Sequence, residues 1–133
     1  MSIENIKEKI RDVKDFPQKG IIFRDLTTVF KDKDCLHALS EELTKLYKEK
    51  GITKVVGIES RGFIMGPIIA NNLGAGFVTL RKPGKLPAET WSESYEKEYG
   101  TDTIEIHKDA LNSEDIIAVS YTHLRAHETC ADL

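Results

Sequence analysis

The chain reads as an α/β domain built on a mostly parallel sheet with flanking helices. Three observations carry that reading. Lys54 to Ile58 is a short apolar run of strand length, and it stops on the polar, glycine-flanked loop Glu59-Ser60-Arg61-Gly62. Phe63 to Leu73 is apolar again but of helical length. Gly76 to Leu80 is a second short run rich in strand-forming residues. Strand, helix and strand in that order form one βαβ unit, whose two strands run parallel.

The remaining elements follow in order. Ile3, Ile6, Ile10 and Val13 repeat at helical spacing, with Ser2 as the N-cap, which predicts an opening helix. Phe16-Pro17-Gln18-Lys19-Gly20 is a turn and Ile21-Ile22-Phe23 a short extended piece. Leu36, Leu39, Leu43, Leu46 and Tyr47 mark a second amphipathic helix, capped near Asp32 or Asp34 and stopped by Gly51. Arg81 to Ser94 is polar, contains Pro83, Gly84 and Pro87, and reads as a loop. Structureless loops beyond ~12–15 residues are uncommon in compact domains, so its length points to function. Thr103-Ile104-Glu105-Ile106 alternates as a half-buried strand, and Ile116 to Val119 opens another buried one.

At 133 residues the chain is one domain with room for a real core. A formal net charge of −3 argues against a general nucleic-acid or membrane binder, so any cationic patch has to be local. Cys35 and Cys130 are too few for a disulfide framework, which fits a reducing compartment. Met1 to Lys14 alternates charge with Ile and is no secretory signal. No apolar run approaches the ~20 residues that cross a bilayer, and the expected setting is the cytoplasm.

The chemistry concentrates at one sheet edge. Parallel strands of a βαβ unit end on the same side, where open α/β sheets bind ligands. The Glu59-Ser60-Arg61-Gly62 loop turns backbone N–H groups toward a helix N-terminus, and Arg61 adds a charge that grips phosphate. Arg81-Lys82-Pro83-Gly84-Lys85 follows the next strand directly. Alone it reads as a solvated charged loop. Paired with the first loop, it predicts that Arg61, Arg81, Lys82 and Lys85 converge on a di- or triphosphate.

A third segment makes the pattern specific. Phe16-Pro17-Gln18-Lys19-Gly20-Ile21-Ile22-Phe23-Arg24-Asp25-Leu26-Thr27 precedes Gly57-Ile58-Glu59-Ser60-Arg61-Gly62-Phe63. Arg81-Lys82-Pro83-Gly84-Lys85-Leu86-Pro87 and Glu98-Tyr99-Gly100 then follow. Over roughly residues 3 to 119 this succession resembles the adenine phosphoribosyltransferases, and no single motif bears the match alone. The resemblance implies the type I phosphoribosyltransferase fold, here incomplete, with C-terminal strands and helices missing. It implies transfer of the phosphoribosyl group of phosphoribosyl pyrophosphate to adenine, giving AMP and pyrophosphate, with Mg²⁺ bound alongside the phosphoribosyl pyrophosphate.

The likeness also implies residue roles. Phe23 matches the aromatic that stacks on the purine, with the backbone of Ile22 and Arg24 reading its edge. Glu59, Ser60 and Arg61 match the pyrophosphate loop. Arg81, Lys82 and Lys85 match the cations on the leaving pyrophosphate, which makes Arg81 catalytic. Glu89 to Tyr99 matches a mobile flap, in which Glu98 handles a proton at the purine imidazole ring beside Tyr99. The partners implied are adenine, phosphoribosyl pyrophosphate and a second copy of the full-length chain, with neither nucleic acid nor membrane. No metal ligand is expected from the chain itself.

After Val119 the pattern departs. The family continues into Asp-Asp-x-x-Ala-Thr-Gly-Gly-Thr, where the paired Asp binds ribose hydroxyls and the Gly-rich turn holds the 5′-phosphate. Here the chain reads Ser120-Tyr121-Thr122-His123-Leu124-Arg125-Ala126-His127-Glu128-Thr129-Cys130. Residues 119–129 resemble a translated sequencing adapter, so the expected division is a phosphoribosyltransferase part at 1–119 and a non-native, unstructured tail at 120–133. His123, His127 and Cys130 also carry a metal-type spacing, the weaker reading of the two. A chain with this tail is expected to be marginally stable and inactive. Two alternatives are a ligand-sensing regulator reusing the same fold and a transferase for another base. Too few residues precede Phe16 for a helix-turn-helix, and Phe23-Arg24-Asp25 speaks against another base.

Overall fold

A computed structural model of the chain describes residues 3–97 and 100–120. Helix α1 (Ile3–Glu8) is shorter than the apolar spacing predicts. Lys9 N–H donates to Ile6 O and Ile10 N–H to Lys7 O, both tight three-residue turns that close the helix. The chain then becomes β1 (Arg11–Lys14), antiparallel to β2 (Ile22–Asp25), and Val13 lies on this strand opposite Phe23. Charge explains the switch. Arg11 binds the Asp25 carboxylate opposite it, and Arg24 Nε lies 3.2 Å from Asp12 Oδ1. Both pairs need extended backbone on each side.

Helix α2 (Thr27–Phe30) is a single turn that the sequence pattern did not reveal. Asp25 Oδ1 builds it by accepting from the Thr27 hydroxyl at 2.6 Å and the Thr27 N–H at 2.9 Å. Those bonds, with Arg11, hold the Asp25 carboxyl down at about 2. The second amphipathic helix is found as expected, α3 (Lys33–Tyr47). Asp32 is its N-cap, accepting from Asp34 N–H at 2.9 Å and Cys35 N–H at 3.2 Å.

The sheet is parallel, in the order β4 (Gly76–Leu80), β3 (Lys54–Ile58), β7 (Ile117–Ser120). Helix α4 (Gly62–Leu73) connects β3 to β4, and the βαβ unit falls where the apolar runs place it. One core forms where α4 meets the sheet and α3: Met65, Ile69 and Ala70 pack on Val55, Ala118 and Leu43. A smaller core joins Ile6 of α1, Val29 of α2, and Cys35 and Ala38 of α3. Within β7, Ala118 and Ser120 are buried while Ile117 and Val119 are about two-fifths exposed, 41% and 42%.

Glycine sets how closely these pieces approach. A Cβ at Gly62 would stand 2.1 Å from Ser120 O, and one at Gly57 would stand 2.5 Å from the Phe77 ring. The end of β3, the first turn of α4 and the end of β7 therefore meet backbone to backbone. At the opposite edge Asp115 clasps the strands. Its Oδ1 accepts from Lys54 Nζ at 3.0 Å and Thr53 Oγ1 at 2.8 Å.

The segment 81–94 is not wholly a loop. It enters β5 (Thr90–Lys97), which forms a hairpin with β6 (Gly100–His107). Cross-strand partners make the strand despite its polar composition: Ser94 Oγ meets Thr103 Oγ1 at 2.8 Å, and Lys108 Nζ sits 4.5 Å from the centre of the Trp91 ring. Ser2, Glu98, Tyr99 and the residues of 121–133, including His123, His127 and Cys130, lie outside the described residues. Among the described residues no helix is long and apolar enough to cross a membrane.

The glycine contact yields a stability prediction. Gly62→Ala should lower stability by about 1–3 kcal/mol, the usual cost of overpacking a tight site. Urea denaturation checks it, and an unchanged midpoint would show that the α4–β7 approach is looser than described.

Candidate functional site

The site is set by register. β3 and β4 pair from Lys54 with Gly76 to Ile58 with Leu80, and Glu59 N–H donates to Leu80 O at 2.9 Å. The residues that follow each strand therefore leave the sheet together. Glu59 comes first after β3, and its side chain is 10% exposed. Arg81 Nε donates to Glu59 Oε1 at 3.1 Å, and the Lys82 backbone N–H donates to the same oxygen at 3.1 Å. The Lys85 ammonium donates to Oε2. Lys85, the Lys82 amide and Arg81 together hold the Glu59 carboxyl down at about 2, against an ordinary 4.5. Glu59, grouped by sequence with the anion-binding loop, is thus the internal counter-ion of the cationic cluster.

Arg61 leads from this edge toward Phe23. It occupies the N-cap position of α4, and its guanidinium lies 5.1 Å from the centre of the Phe23 ring. Phe63, two residues further, carries the Arg81 guanidinium over its own ring at 5.8 Å. Two arginines thus stand over aromatic rings at this edge, within cation–π range. Ser60 is exposed beside them, and the Glu59–Ser60 peptide bond is cis.

Phe23 is half-buried on β2 and meets Phe16 edge to face at 5.4 Å. It borders a cavity of about 170 Å³ whose lining includes Arg24, Thr27, Phe30, Arg61 and Ile64. Phe23, Arg24 and Arg61 therefore share one cleft. Ile22 is exposed and not part of its lining. Ile22 and Arg24 lie two apart on one strand, so their backbone groups turn toward the same edge. The Arg24 side chain itself points to Asp12 and serves the hairpin.

Two contributors escaped the sequence reading. Asp25 shapes the α2 end of the cleft, and an Asp two residues before Thr is the available signal for such a turn. Glu105 Oε1 accepts from Gly84 N–H at 2.9 Å, inside the cationic loop. Nothing local in Ile104-Glu105-Ile106 announces that contact, because its partner lies 21 residues away.

No protein-family model matches the chain. Over 117 residues it is 64% identical to an adenine phosphoribosyltransferase of Bacteroides fragilis, covering 88% of this chain and 66% of that protein. The solved adenine phosphoribosyltransferase of Thermoanaerobacter pseudethanolicus superposes with a TM-score of 0.85 at 47% identity, covering 89% of this chain and 69% of that one. The chain belongs to the adenine phosphoribosyltransferase family. The Giardia lamblia enzyme of this family, solved with 9-deazaadenine, superposes with a TM-score of 0.84 at 46% identity, covering 90% and 66%. The fold is the type I phosphoribosyltransferase fold expected from the sequence, and the chain spans about two-thirds of the length of these relatives.

The depressed carboxyls set the acid response. Glu59, Asp25 and Asp115 each fall to about 2 from ordinary values of 4.5, 3.8 and 3.8. A folded-state value below the unfolded one gives stability that is fully present above the ordinary carboxyl range. That stability is lost as pH falls from there toward about 2. Glu59→Gln should flatten part of the stability loss between pH 4.5 and about 2. Urea midpoints across that range measure it; an identical slope in wild type and variant would mean that Glu59 is not ion-paired in solution.

Proposed function

We propose that the family site to which these residues belong transfers the phosphoribosyl group of phosphoribosyl pyrophosphate to adenine, yielding AMP and pyrophosphate in purine salvage, and that this chain, with the sequence it carries after Val119, binds at that site without turnover. The observation that carries the reading is that the short β3–α4 loop serves two subsites, through Glu59 at one and Arg61 at the other. On one side stand Arg81, Lys82 and Lys85 around Glu59; on the other, the cleft at Phe23. The family identity supports it, as does the Giardia lamblia enzyme's complex with 9-deazaadenine. A regulator or a transferase for another base is not favoured by relatives of this identity.

The chemistry follows from the charges. As the bond from the ribose C1 to the pyrophosphate oxygen breaks, negative charge grows on the leaving group. Arg81, Lys82 and Lys85 stabilise that charge, with donors already held by Glu59. Ser60 and the backbone after β3 add N–H donors at the start of α4, where the helix dipole favours an anion. The purine stacks on Phe23, in a cleft smaller than the ~300–1,000 Å³ of drug-sized ligand sites, as suits a single base.

Backbone groups at Ile22 and Arg24 read the purine edge. Adenine donates from its 6-amino group and accepts at N1, the reverse of a 6-oxopurine, so a fixed backbone pattern rejects the wrong base. Glu98 takes part in proton handling at the imidazole ring, with Tyr99 beside it, on the strength of the family pattern alone. Mg²⁺ would enter with the phosphoribosyl pyrophosphate oxygens and offset their charge. Among the described residues no group of three His, Cys, Asp or Glu side chains offers a cage for it. A homodimer and a cytoplasmic setting belong to the same proposal and rest on the family alone. So does the division into a family domain at 1–119 and a tail at 120–133, except that Ser120, counted with the tail by sequence, is the buried last residue of β7 opposite Gly57. Genomic sequence beyond the Val119 codon tests that division: an Asp-Asp pair and a Gly-Gly-Thr loop are expected, and the Tyr121-Thr122-His123 codons would contradict it.

Base choice is the direct test of the purine subsite. In calorimetric titration adenine should bind far more tightly than hypoxanthine. Phe23→Ala should cost ~1–3 kcal/mol of adenine binding, the worth of one base–aromatic stack. Equal affinity for both purines would remove the backbone readout from the account.

A further inference from the structure

The cationic loop between Leu80 and Leu86 is held from two sides, and the second side has no place in the chemistry above. On the β3 side, Glu59 binds Arg81, Lys85 and the Lys82 amide. On the other side stands Glu105, half-buried in the middle of β6. Its backbone forms a two-way bridge with Arg81: Arg81 N–H donates to Glu105 O at 3.0 Å, and Glu105 N–H to Arg81 O at 2.7 Å. One carboxylate oxygen accepts from Gly84 N–H at 2.9 Å; the other accepts from the Thr90 hydroxyl at 3.3 Å. One residue thus touches the first cation of the loop, the turn between Lys82 and Lys85, and the first residue of β5.

From this we infer that Glu105 is a positioning residue for pyrophosphate recognition: it fixes the turn that aims Lys82 and Lys85 and ties it to the base of the β5–β6 hairpin. The inference rests on the reading of Arg81, Lys82 and Lys85 as the pyrophosphate subsite.

Two physical points favour positioning over simple charge balance. Gly84 sits at φ +83°, a turn conformation that its exposed surroundings do not enforce by packing. A hydrogen bond from its N–H to a carboxylate is charge-assisted and stronger than one to water or a neutral acceptor. Glu105 also lies on a strand rather than in the loop, so the acceptor is presented by a paired element. The cations of a phosphate clamp work only when held within a fraction of an ångström of the productive geometry. Loss of the Gly84 anchor leaves Lys82 and Lys85 on a turn fixed only at its ends.

The two roles make opposite predictions for binding of inorganic pyrophosphate. A carboxylate that merely balanced charge would weaken an incoming anion, so both Glu105→Ala and Glu105→Gln would tighten binding. A positioning acceptor is lost in Glu105→Ala but kept by the amide oxygen of Glu105→Gln. Titration calorimetry of the full 133-residue chain with sodium pyrophosphate separates them. The expected result is roughly tenfold weaker binding in Glu105→Ala, about the worth of one hydrogen bond to a charged group, with Glu105→Gln recovering most of that loss.

A measurement on the unaltered chain stands beside this, should the alanine variant fail to fold. The Gly84 amide should exchange with solvent more slowly than the neighbouring Lys85 amide, for which no carboxylate acceptor is seen among the described residues. Wild-type affinity in both variants, tightening in both, or an unprotected Gly84 amide would overturn the role of Glu105. Failure of wild type itself to bind pyrophosphate would instead overturn the reading of the cationic cluster, and Glu105's role with it.

Discussion

The Glu59 carboxylate meets three positive or donating groups that the sequence places more than twenty residues away, and the candidate site is organised around that meeting. Arg81 and Lys85 repel one another and would spread apart in water. A shared carboxylate between them, nearly buried at the end of β3, holds both at one sheet edge. It also shows why an acidic chain can present a cationic surface. The charge is local, framed by two carboxylates, with two aromatic rings under Arg61 and Arg81.

That arrangement depends on backbone contacts beneath it. Gly57 and Gly62 let the end of β3 and the start of α4 close on each other and on Ser120 of β7. Side chains at those points would push α4 outward and carry Arg61 away from Phe23. The glycines are therefore part of the site although they bear no chemistry. Asp115 does the complementary work at the far edge, where Thr53 and Lys54 fix β7 against β3. Register set at one end of the parallel sheet decides which side chains converge at the other.

The parts of this arrangement that the sequence revealed were those governed by local patterns. β3, α4 and β4 were legible because an apolar strand, an apolar helix and a second strand follow in unbroken order with glycines between them. α3 was legible from its leucine spacing and from Asp32. The misreadings come from partners distant in sequence. Helical spacing at Ile10 and Val13 lost to Arg11 and Asp12, whose ion partners lie across a turn on β2. Thr90 to Ser94 looked like loop because their strand is stabilised by β6 rather than by an apolar face of its own. Arg61 was rightly placed at the sheet edge, yet its place over Phe23 was invisible, since nothing in either segment names the other. Glu105 was hidden for the same reason.

The central claim is that the Glu59-centred cluster at the ends of β3 and β4 is where an oligophosphate binds. Titrating isotope-labelled chain with sodium pyrophosphate while following backbone amide resonances tests it most directly. The account predicts shifts concentrated in residues 59–63 and 81–85, fading as salt is raised because surface charge is screened. Shifts centred elsewhere, such as around Thr44 and Asn72 at the C-terminal ends of α3 and α4, would contradict it, as would no shift at any concentration.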